Sequence, residues 1–414
     1  MKIPFSLPVI DDEVIAEMMD TLTRTGWLTT GPKVRALEKE IQIFIGSSNP
    51  VLCVNSWTSG AMLMLRWFGV GPGDEVIIPA YTYSATALCA MNMGASVVMV
   101  DVKDDFTMDP EKLATAVTEK TKVIIPVDIG GYPCDYDAIR QVLARPEIRK
   151  KFRAEHVRQQ QLGRILLLAD AAHSLGAFYK GRAIGTVADI TVYSLHSVKN
   201  ITTGEGGAIA LNLPSPFDND KELVFLRALG LNGQNKSAFE KNQPGAWRYD
   251  IIDQGLKVNM PDLCASVGLA QMRRYRDRFL PERKRIFQFY LNAFSRYEWA
   301  ILPPCRNDDA TESSYHLFLL RLRGFDETER DRAIQQISSC EVGVNVHYIP
   351  MAMLTLFRNR GYQISDYPMT YSLFANEISL PIYNNLTEKQ LQIVVDTVVD
   401  AYYSIAGTEK TNVV

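Results

Sequence analysis

Residues 165–212 read ILLLADAAHSLGAFYKGRAIGTVADITVYSLHSVKNITTGEGGAIALN and contain three short apolar segments, at 165–170, 190–195 and 207–212. Each is almost continuously apolar and does not alternate with polar residues, which is typical of strands buried on both faces of a sheet. Three similar runs precede them in the chain: VIIPA (76–80), SVVMVDV (96–102) and KVIIPVDI (122–129). The pattern predicts a central sheet covered on both sides.

Helical patterns separate several of these segments. After SVVMVDV, for example, Asp109 can cap a helix, Pro110 suits its first turn, and EKLATAVTEK continues it. Strands that alternate with helices need crossover connections, and such connections produce parallel strands. We therefore expect an α/β fold with a mostly parallel sheet between helices.

The texture of the chain changes after the last of these strands. Residues 213–258 are rich in Gly, Asn and Pro, which predicts loops and a domain junction. An amphipathic helix then starts near 259, SYHLFLLRL (314–322) and NVHYI (345–349) resemble strands, and 387–403 form a closing helix with capping-box spacing. We expect a large domain over 1–255 and a smaller α+β domain over 256–414.

One segment interrupts the α/β pattern. Residues 144–164, ARPEIRKKFRAEHVRQQQLGR, are strongly charged and lie where such folds usually have a short connection. A charge run of this kind is typical of a solvated helical face. We interpret it as a solvated helical insertion and not as a phosphate site.

Composition excludes several classes of partner. The 44 Lys and Arg and the 47 Asp and Glu leave a formal charge of −3, so no broad positive field favours nucleic acid or anionic membranes. The N-terminus lacks the apolar core of a signal peptide, and no run approaches the roughly 20 apolar residues of a membrane span. The six cysteines form no CxxC pair, so we expect reduced thiols and no metal site. These features predict a cytoplasmic protein.

Polar groups follow two of the predicted strands. Asp170 ends ILLLAD, Ser194 lies at the end of ITVYSL, and Lys199 comes shortly after it. Ligands of open parallel sheets gather at the carboxyl ends of the strands. A lysine beside a carboxylate meets two needs of pyridoxal phosphate: an amine for its aldehyde and an anion that keeps its ring nitrogen protonated.

A phosphate site is also visible in the sequence. The stretch VNSWTSGAMLML (54–65) ends an apolar run and opens a helix with Thr58 and Ser59. Free N–H groups and hydroxyls at a helix start suit a phosphate, although the same residues could simply cap the helix.

The segment around Lys199, SLHSVKNITTGEGG (194–207), resembles the lysine motif of the DegT/StrS family of sugar aminotransferases, which are fold-type I pyridoxal phosphate enzymes. Leu195 stands where the family usually has an aromatic residue. Further blocks resemble the family in the same order: GWLTTGP (26–32), GVGPGDEVIIPAYTYSAT (69–86), KVIIPVDIGGYPCDYDAI (122–139), ADAAHSLGA (169–177) and SLPIY (379–383). The resemblance covers nearly the whole chain.

The resemblance implies a role for each matching residue of the cofactor site. Lys199 would form the Schiff base and act as the acid/base, and Asp170 would pair with the pyridinium nitrogen. His173 would lie near the 3-oxygen of the cofactor, and Tyr83 would stack on its ring. The phosphate would be held by Thr58, Ser59 and Ser194.

The resemblance also implies a homodimer with shared sites. In relatives, the asparagine that matches Asn259 reaches the phosphate in the neighbouring subunit; the alternative for Asn259 is a helix cap before Pro261. On the substrate side the matching residues are Trp27, Thr29, His347 and Tyr348. Asp128 departs from the family, because many members have His there.

The implied activity is transfer of an amino group from an amino acid, usually L-glutamate, to a keto group of a nucleotide-linked deoxysugar, for amino-sugar or polysaccharide biosynthesis. Relatives that dehydrate the sugar use a histidine in place of the lysine, and Lys199 argues against that chemistry. Two alternatives stay open: an aminocyclitol aminotransferase and a regulatory protein that binds pyridoxal phosphate without turnover.

Overall fold

A computed structural model describes residues 2–307 and 309–407. In these residues a seven-stranded sheet has the order β3-β2-β4-β5-β8-β9-β1. The strands of this first part, including the hairpin β6–β7, are β1 Val51–Val54, β2 Glu75–Pro79, β3 Ser96–Val100, β4 Thr121–Ile124, β5 Leu166–Asp170, β6 Phe178–Tyr179, β7 Arg182–Ala183, β8 Ile190–Ser194 and β9 Gly207–Leu211.

Most neighbouring strands of this sheet are parallel, as the sequence predicts. The exception is β9, which is antiparallel to both β8 and β1. Because two antiparallel pairings restore the direction, β1 runs parallel to β8. The carboxyl ends of β1, β5 and β8 therefore lie at the same edge of the sheet.

Ten α-helices lie within residues 12–241 of the described part of the chain. The predicted capping of one of them is confirmed: Asp109 accepts from the N–H of Glu111 at 2.9 Å, and Pro110 starts the helix. The helices are α1 Asp12–Asp20, α2 Pro32–Phe44, α3 Trp57–Trp67, α4 Ala85–Asn92, α5 Pro110–Ala116, α6 Tyr136–Ala144, α7 Pro146–Arg149, α8 Val157–Leu162, α9 Asn219–Leu229 and α10 Ala238–Lys241.

The sheet separates two apolar cores. Along β5, Leu167 and Ala169 belong to one core, and Leu166 and Leu168 belong to the other. All four side chains are fully buried. This double burial explains why the strands are continuously apolar in sequence.

The C-terminal part has a core of its own. A three-stranded antiparallel sheet, β10-β11-β12, packs with long helices, and the predicted capping box of Thr387 and Gln390 is present at the last helix. The elements are α11 Asp262–Arg274, α12 Leu280–Phe294, β10 Ala300–Ile301, β11 Phe318–Leu322, α13 Glu327–Ser339, α14 Thr355–Arg358, α15 Pro368–Asn376, β12 Glu377–Leu380 and α16 Glu388–Ala406.

Helix α11 belongs by packing to the first part of the molecule. Ala265, Leu269 and Met272 on this helix are members of a large-domain core, whereas the C-terminal core takes its side chains from Ile286 onward, with Ile3 added. The packing thus changes over within the α11–α12 run. The domain limit at 255/256 remains a prediction.

Two local expectations are wrong. Residues 345–349 form no strand; Asn345 makes only an isolated bridge to Ser379. The stretch 213–258 is not loop throughout, because it contains α9 and the short α10. The sequence did not predict α9 because Pro- and Gly-rich segments flank it. Its Leu226 and Leu229 are nevertheless buried.

The insertion at 144–164 is only partly solvated. It forms the short helices α7 and α8, anchored by the buried side chains of Ile148 and Gln159. Gln159 donates to the carbonyl of Phe68 at 3.0 Å, and the Arg158 guanidinium lies 4.3 Å from the ring centroid of Phe225.

Within the described residues, no helix combines the length and the apolar character that a membrane span requires.

Candidate active site

A cavity of about 460 Å³ opens at the carboxyl edge of the large sheet. It collects most of the residues that the sequence predicted for the cofactor and two of those predicted for the substrate. These are Thr58, Tyr83, Asp170, His173, Ser194, Lys199, His347 and Tyr348.

Asp170 ends β5 in the floor of this cavity and is 4% exposed. Its carboxylate accepts from Thr86 Oγ1 at 2.9 Å and from the N–H of Ala172 at 3.1 Å. Burial raises the pKa of Asp170 to about 7, while these two hydrogen bonds and the charge of Lys199 favour the ionised form. A cationic partner at this carboxylate would therefore be strongly favoured.

Lys199 follows β8 on a loop at the same edge. Burial lowers the pKa of Lys199 to about 8, and the negative charge of Asp170 opposes that shift. Its backbone N–H donates to the carbonyl of His196, but its ammonium group forms no hydrogen bond or ion pair within the described residues. The amine is thus available, and partly neutral near physiological pH.

The motif around Lys199 fixes its loop. Asn200 donates from Nδ2 to the hydroxyl of Tyr275 at 3.0 Å and to the carbonyl of Ser314 at 2.9 Å. Gly207 lets the start of α3 come close, because a Cβ there would lie 2.7 Å from the carbonyl carbon of Ser56. Asn200 and Gly207 both belong to the segment that resembles the family's lysine motif. They hold the lysine loop against the C-terminal part and against the start of α3.

The start of α3 forms a second wall of the cavity. Ser56 is the N-cap, since its Oγ accepts from the N–H of Ser59 at 3.0 Å. The N–H groups of Trp57 and Thr58 have no hydrogen-bond partner within the described residues. Free N–H groups at a helix start form an anion site.

The structure places the two predicted phosphate residues of α3 differently, and their contact with a phosphate remains a prediction. Ser59 Oγ accepts from Ser56 Oγ at 2.9 Å, and Ser59 does not line the cavity. Ser56 does line it, and sequence reasoning missed this residue. The signal was present, since Ser is among the best N-cap residues and directly precedes the helical pattern.

Both ring nitrogens of His173 have protein partners. Nδ1 accepts from the N–H of Gly130 at 3.2 Å, so in a neutral ring Nε2 carries the proton and donates to the hydroxyl of Tyr348 at 3.0 Å. Burial and the charge of Lys199 hold the pKa of His173 well below its usual value, so the ring is neutral. Contact of His173 with a cofactor oxygen remains a prediction.

Tyr83 lies at the mouth of the cavity with 60% of its surface exposed. Its ring centroid is 5.6 Å from that of Tyr348, at an interplanar angle of 43°. An aromatic ring this open can pack on a flat ligand, which agrees with the stacking role expected from the sequence.

His316 is a cavity residue that the sequence did not reveal. Its ring lies 4.4 Å from that of His173, and its Nδ1 hydrogen-bonds Asn200 Oδ1 at 2.8 Å. Burial and the neighbouring His173 and Lys199 lower its pKa well below the usual value. Nothing distinguished His316 in the sequence, because it lies in an apolar stretch that predicted only a strand.

His347 lines the cavity and is held by residues of β12. Its backbone N–H donates to Glu377 Oε2 at 3.0 Å, and its Nδ1 lies 2.8 Å from Ser379 Oγ. Burial and Lys199 lower the pKa of His347 to about 3, and burial raises the pKa of Glu377 to about 8. The ring of His347 is therefore uncharged.

Asp128, the departure from the family pattern, lies beneath the cavity and not on its wall. It is fully buried and accepts from the hydroxyls of Tyr136 at 2.9 Å and Ser174 at 2.7 Å, and from the N–H of Cys134 at 2.9 Å. Burial raises the pKa of Asp128 to about 6. It fastens the turn that carries His173.

The remaining predicted residues lie elsewhere. Thr29 and Asn259 line a second groove of about 430 Å³, where Asn259 Nδ2 donates to Thr30 Oγ1 at 2.7 Å. Trp27 is nearby, since its Nε1 donates to the carbonyl of Thr30 at 3.0 Å. Pro261 occupies the N-cap position of α11, so the alternative that Asn259 caps this helix is wrong.

The cavity fits pyridoxal phosphate. An amine without a hydrogen-bond partner, a buried carboxylate near it and free N–H groups at a helix start meet the needs of the aldehyde, the ring nitrogen and the phosphate. The fold and the site together define a pyridoxal phosphate enzyme with a fold-type I architecture.

Comparison with known proteins agrees with this class. The sequence profile of the DegT/DnrJ/EryC1/StrS aminotransferase family matches residues 9–150 and 155–399, and the chain belongs to that family. The break at 151–154 falls inside the insertion. Aminotransferases of this family depend on pyridoxal phosphate, which is therefore the cofactor.

Two curated relatives match almost end to end. The spore coat polysaccharide biosynthesis protein SpsC of Bacillus subtilis is 34% identical over 406 residues, which is 96% of each chain. The UDP-4-amino-4-deoxy-L-arabinose--oxoglutarate aminotransferase of Shewanella sediminis is 31% identical over 403 residues, 95% of this chain and 96% of the relative.

A solved structure shows the same fold. The putative sugar aminotransferase Spr1654 from Streptococcus pneumoniae, in its PMP form, superimposes with a TM-score of 0.92 at 40% identity, covering 97% of this chain and all of that one. The chain is thus a sugar aminotransferase of this family, with a role in sugar or polysaccharide biosynthesis.

Proposed function

We propose that this enzyme transfers the amino group of L-glutamate to a keto group of a nucleotide-linked deoxysugar. The observation that carries the proposal is the pair at the carboxyl edge of the sheet, the buried Asp170 and the half-buried Lys199. Their pKa values are shifted toward each other, to about 7 and about 8. An amine with a pKa in this range suits proton transfer near neutral pH, and the carboxylate beside it suits a protonated ring nitrogen.

The names of the relatives support the finer substrate assignment. The Shewanella relative is named for a UDP-linked amino sugar and for oxoglutarate, which is the keto acid left when glutamate gives up its amino group. The Bacillus relative is named for polysaccharide biosynthesis. The first name fits an amino sugar made on a nucleotide carrier, and the second fits the use of such a sugar in a polysaccharide.

The residues of the cavity would divide the work. Bound pyridoxal phosphate supplies an electron sink for the carbon that loses its proton. In the proposal, Asp170 keeps the proton on the ring nitrogen, and Lys199 Nζ takes the proton from Cα of the amino acid. The same amine returns a proton to the sugar carbon in the second half of the reaction.

We also propose a homodimer in which each copy completes the other's site. Asn259 does not line the cavity of its own chain, and the groove that it lines also exposes the cationic side chains of Arg35 and Lys257. Positive and amide groups of this kind would suit the phosphate of a cofactor bound to the partner copy. The cytoplasmic location remains a prediction from the sequence.

The test is the visible absorbance of the purified protein with pyridoxal phosphate. We expect a lysine-dependent band that disappears with L-glutamate and returns when a keto sugar is supplied; Lys199→Ala should not form the band. The reverse direction can be run with UDP-4-amino-4-deoxy-L-arabinose and 2-oxoglutarate, with glutamate formation as the readout.

Other outcomes have definite meanings. A band that no amino acid bleaches would contradict catalysis and favour the regulatory alternative. Bleaching by glutamate with turnover only of free cyclitol ketones would move the substrate to the aminocyclitol class. The absence of a band in the wild type would contradict the role of Lys199.

A further inference from the structure

A hydrogen-bonded chain leads from the interior of the C-terminal part to the cavity. Ser379 Oγ donates to Glu377 Oε1 at 2.5 Å, and His347 Nδ1 lies 2.8 Å from the same Oγ. The second carboxyl oxygen, Glu377 Oε2, accepts from the backbone N–H of His347 at 3.0 Å. These three hydrogen bonds hold His347 in place on the cavity wall.

The two supporting residues are out of reach of any ligand. Glu377 and Ser379 are both 0% exposed, and they lie on β12 two positions apart, so their side chains project from the same face of the strand. Neither lines the cavity. Buried polar groups with all their bonds directed at one neighbour act through that neighbour.

His347 itself faces the cavity, and its second ring nitrogen is unused. Nδ1 is occupied by Ser379, whereas Nε2 has no hydrogen-bond partner within the described residues. The ring packs against Phe5 at a centroid distance of 5.3 Å, which limits its rotation. One nitrogen is pinned and the other is presented to the ligand.

We propose that Glu377 and Ser379 are positioning residues that hold His347 so that its Nε2 binds a hydroxyl group of the sugar substrate. This inference rests on the proposed function. Because Ser379 gives its only proton to Glu377, Nδ1 of His347 donates to Ser379 Oγ and the bare Nε2 can only accept. Phosphate oxygens also accept, so the nucleotide's phosphates are the wrong partner for Nε2. A sugar hydroxyl can donate its proton to the bare Nε2, which makes it the matching partner.

The first experiment reads the ring directly, without activity. The chain has five histidines, so ¹⁵N-histidine labelling of the holoenzyme and comparison with His347→Gln assigns the signals of His347. We expect a neutral ring in a single tautomer, with one nitrogen protonated and the other bare. In Ser379→Ala the two ring nitrogens should give averaged or doubled signals.

The second experiment separates the two substrates. With UDP-4-amino-4-deoxy-L-arabinose and 2-oxoglutarate as probes, His347→Gln and Ser379→Ala should raise KM for the amino sugar about threefold to tenfold, the loss of one hydrogen bond. The KM for 2-oxoglutarate should change less than twofold. Glu377→Gln should behave like Ser379→Ala, and the visible band of the cofactor should persist in all three.

Ser339→Ala is the matched control. This exposed serine ends α13 and bonds only the carbonyl of Gln336 in its own helix. It should change neither the His347 signals nor either KM.

Three results would overturn the proposal: an already averaged ring in the wild type, an unchanged ring in Ser379→Ala, or equal effects on both substrates. If the wild type does not accept the amino sugar, the proposed function fails on that substrate. The role of Glu377 and Ser379 is then decided by the ring signals alone.

Discussion

The cavity at the sheet edge and the groove beside α9 are similar in size, about 460 and 430 Å³, but they differ in how their charged groups are placed. In the cavity, Asp170 is 4% exposed and Lys199 is held beside it on a fixed loop. In the groove, Arg35 has 45% of its side chain exposed and Lys257 is also exposed.

The difference separates chemistry from recognition. Burial at the sheet edge shifts the pKa of a carboxyl and an amine toward neutrality, which proton transfer requires. Exposed cations in the groove can attract a phosphate through charge and hydrogen bonds. The cavity therefore carries the groups for proton transfer, whereas in the proposed homodimer the groove would meet the site of a second copy.

The largest expected loss of activity is that of Lys199→Ala, at the cavity. Without this amine we expect amino transfer to fall by about 10⁴-fold, since general acid–base catalysis alone is worth up to that amount. Turnover of L-glutamate, measured as 2-oxoglutarate formed, is the readout. Residual activity within tenfold of the wild type would contradict the assignment.

Asp170→Asn should have the next largest effect. The amide keeps the shape and the hydrogen bond from Thr86 but cannot hold a proton on the ring nitrogen, so we expect a loss of about 10²-fold. Glutamate turnover at saturating pyridoxal phosphate measures it. Asp128→Asn is the comparison, since Asp128 is buried below the wall; if both variants lost activity equally, pairing with the ring nitrogen would not be the reason.

The groove should affect the cofactor and not the chemistry. Asn259→Ala should raise the dissociation constant of pyridoxal phosphate about tenfold or more, the usual cost of a hydrogen bond to a charged group. Equilibrium dialysis measures this, and kcat at saturating cofactor should stay within about threefold.

Mixing two variant chains tests whether the groove of one copy contributes to the cofactor site of the other. A heterodimer of the Lys199→Ala and Asn259→Ala chains contains one native site, so at limiting cofactor it should recover about half of the wild-type activity. If the mixture is no more active than the sum of its parts, Asn259 serves its own chain or none.

How much of this the sequence predicted depends on whether the signal was local. The buried strands, the Asp109 cap and the edge position of Asp170 and Lys199 follow from patterns within a few residues of each other. His316 and Ser379 could not be predicted, because their roles arise from contacts with Asn200 and His347, residues more than 30 positions away. The resemblance supplied roles and assigned Asn259 to the neighbouring subunit, but it did not predict that Thr29 lies in the same groove as Asn259.

The pH dependence should distinguish the buried amine from an ordinary lysine. The pKa of Lys199 is lowered to about 8, and only the neutral amine attacks an aldehyde. The rate of cofactor capture by the apoenzyme should therefore rise about tenfold from pH 6.5 to 7.5 and level off above pH 8, as measured by stopped-flow absorbance.

The variant Asp170→Asn tests the direction in which Asp170 shifts the pKa of Lys199. The negative charge of Asp170 raises the pKa of Lys199, so removing it should move the midpoint below pH 8. A midpoint near the usual lysine value in either protein would contradict the lowered pKa of Lys199.

The smallest expected effect concerns the start of α3, where Ser56 caps the helix whose free N–H groups lie at the cavity wall. Ser56 Oγ accepts from the N–H of Ser59, so Ser56→Ala should lower the free energy of unfolding by about 1 kcal/mol in urea denaturation of the apoprotein. Ser84 is the matched control, because it occupies the N-cap of α4 without a side-chain cap bond, and Ser84→Ala should cost much less. Since the cap orients the N–H groups that would meet the phosphate, Ser56→Ala should also weaken pyridoxal phosphate binding, whereas equal losses in both variants would show that the Ser56 cap adds nothing particular to this wall.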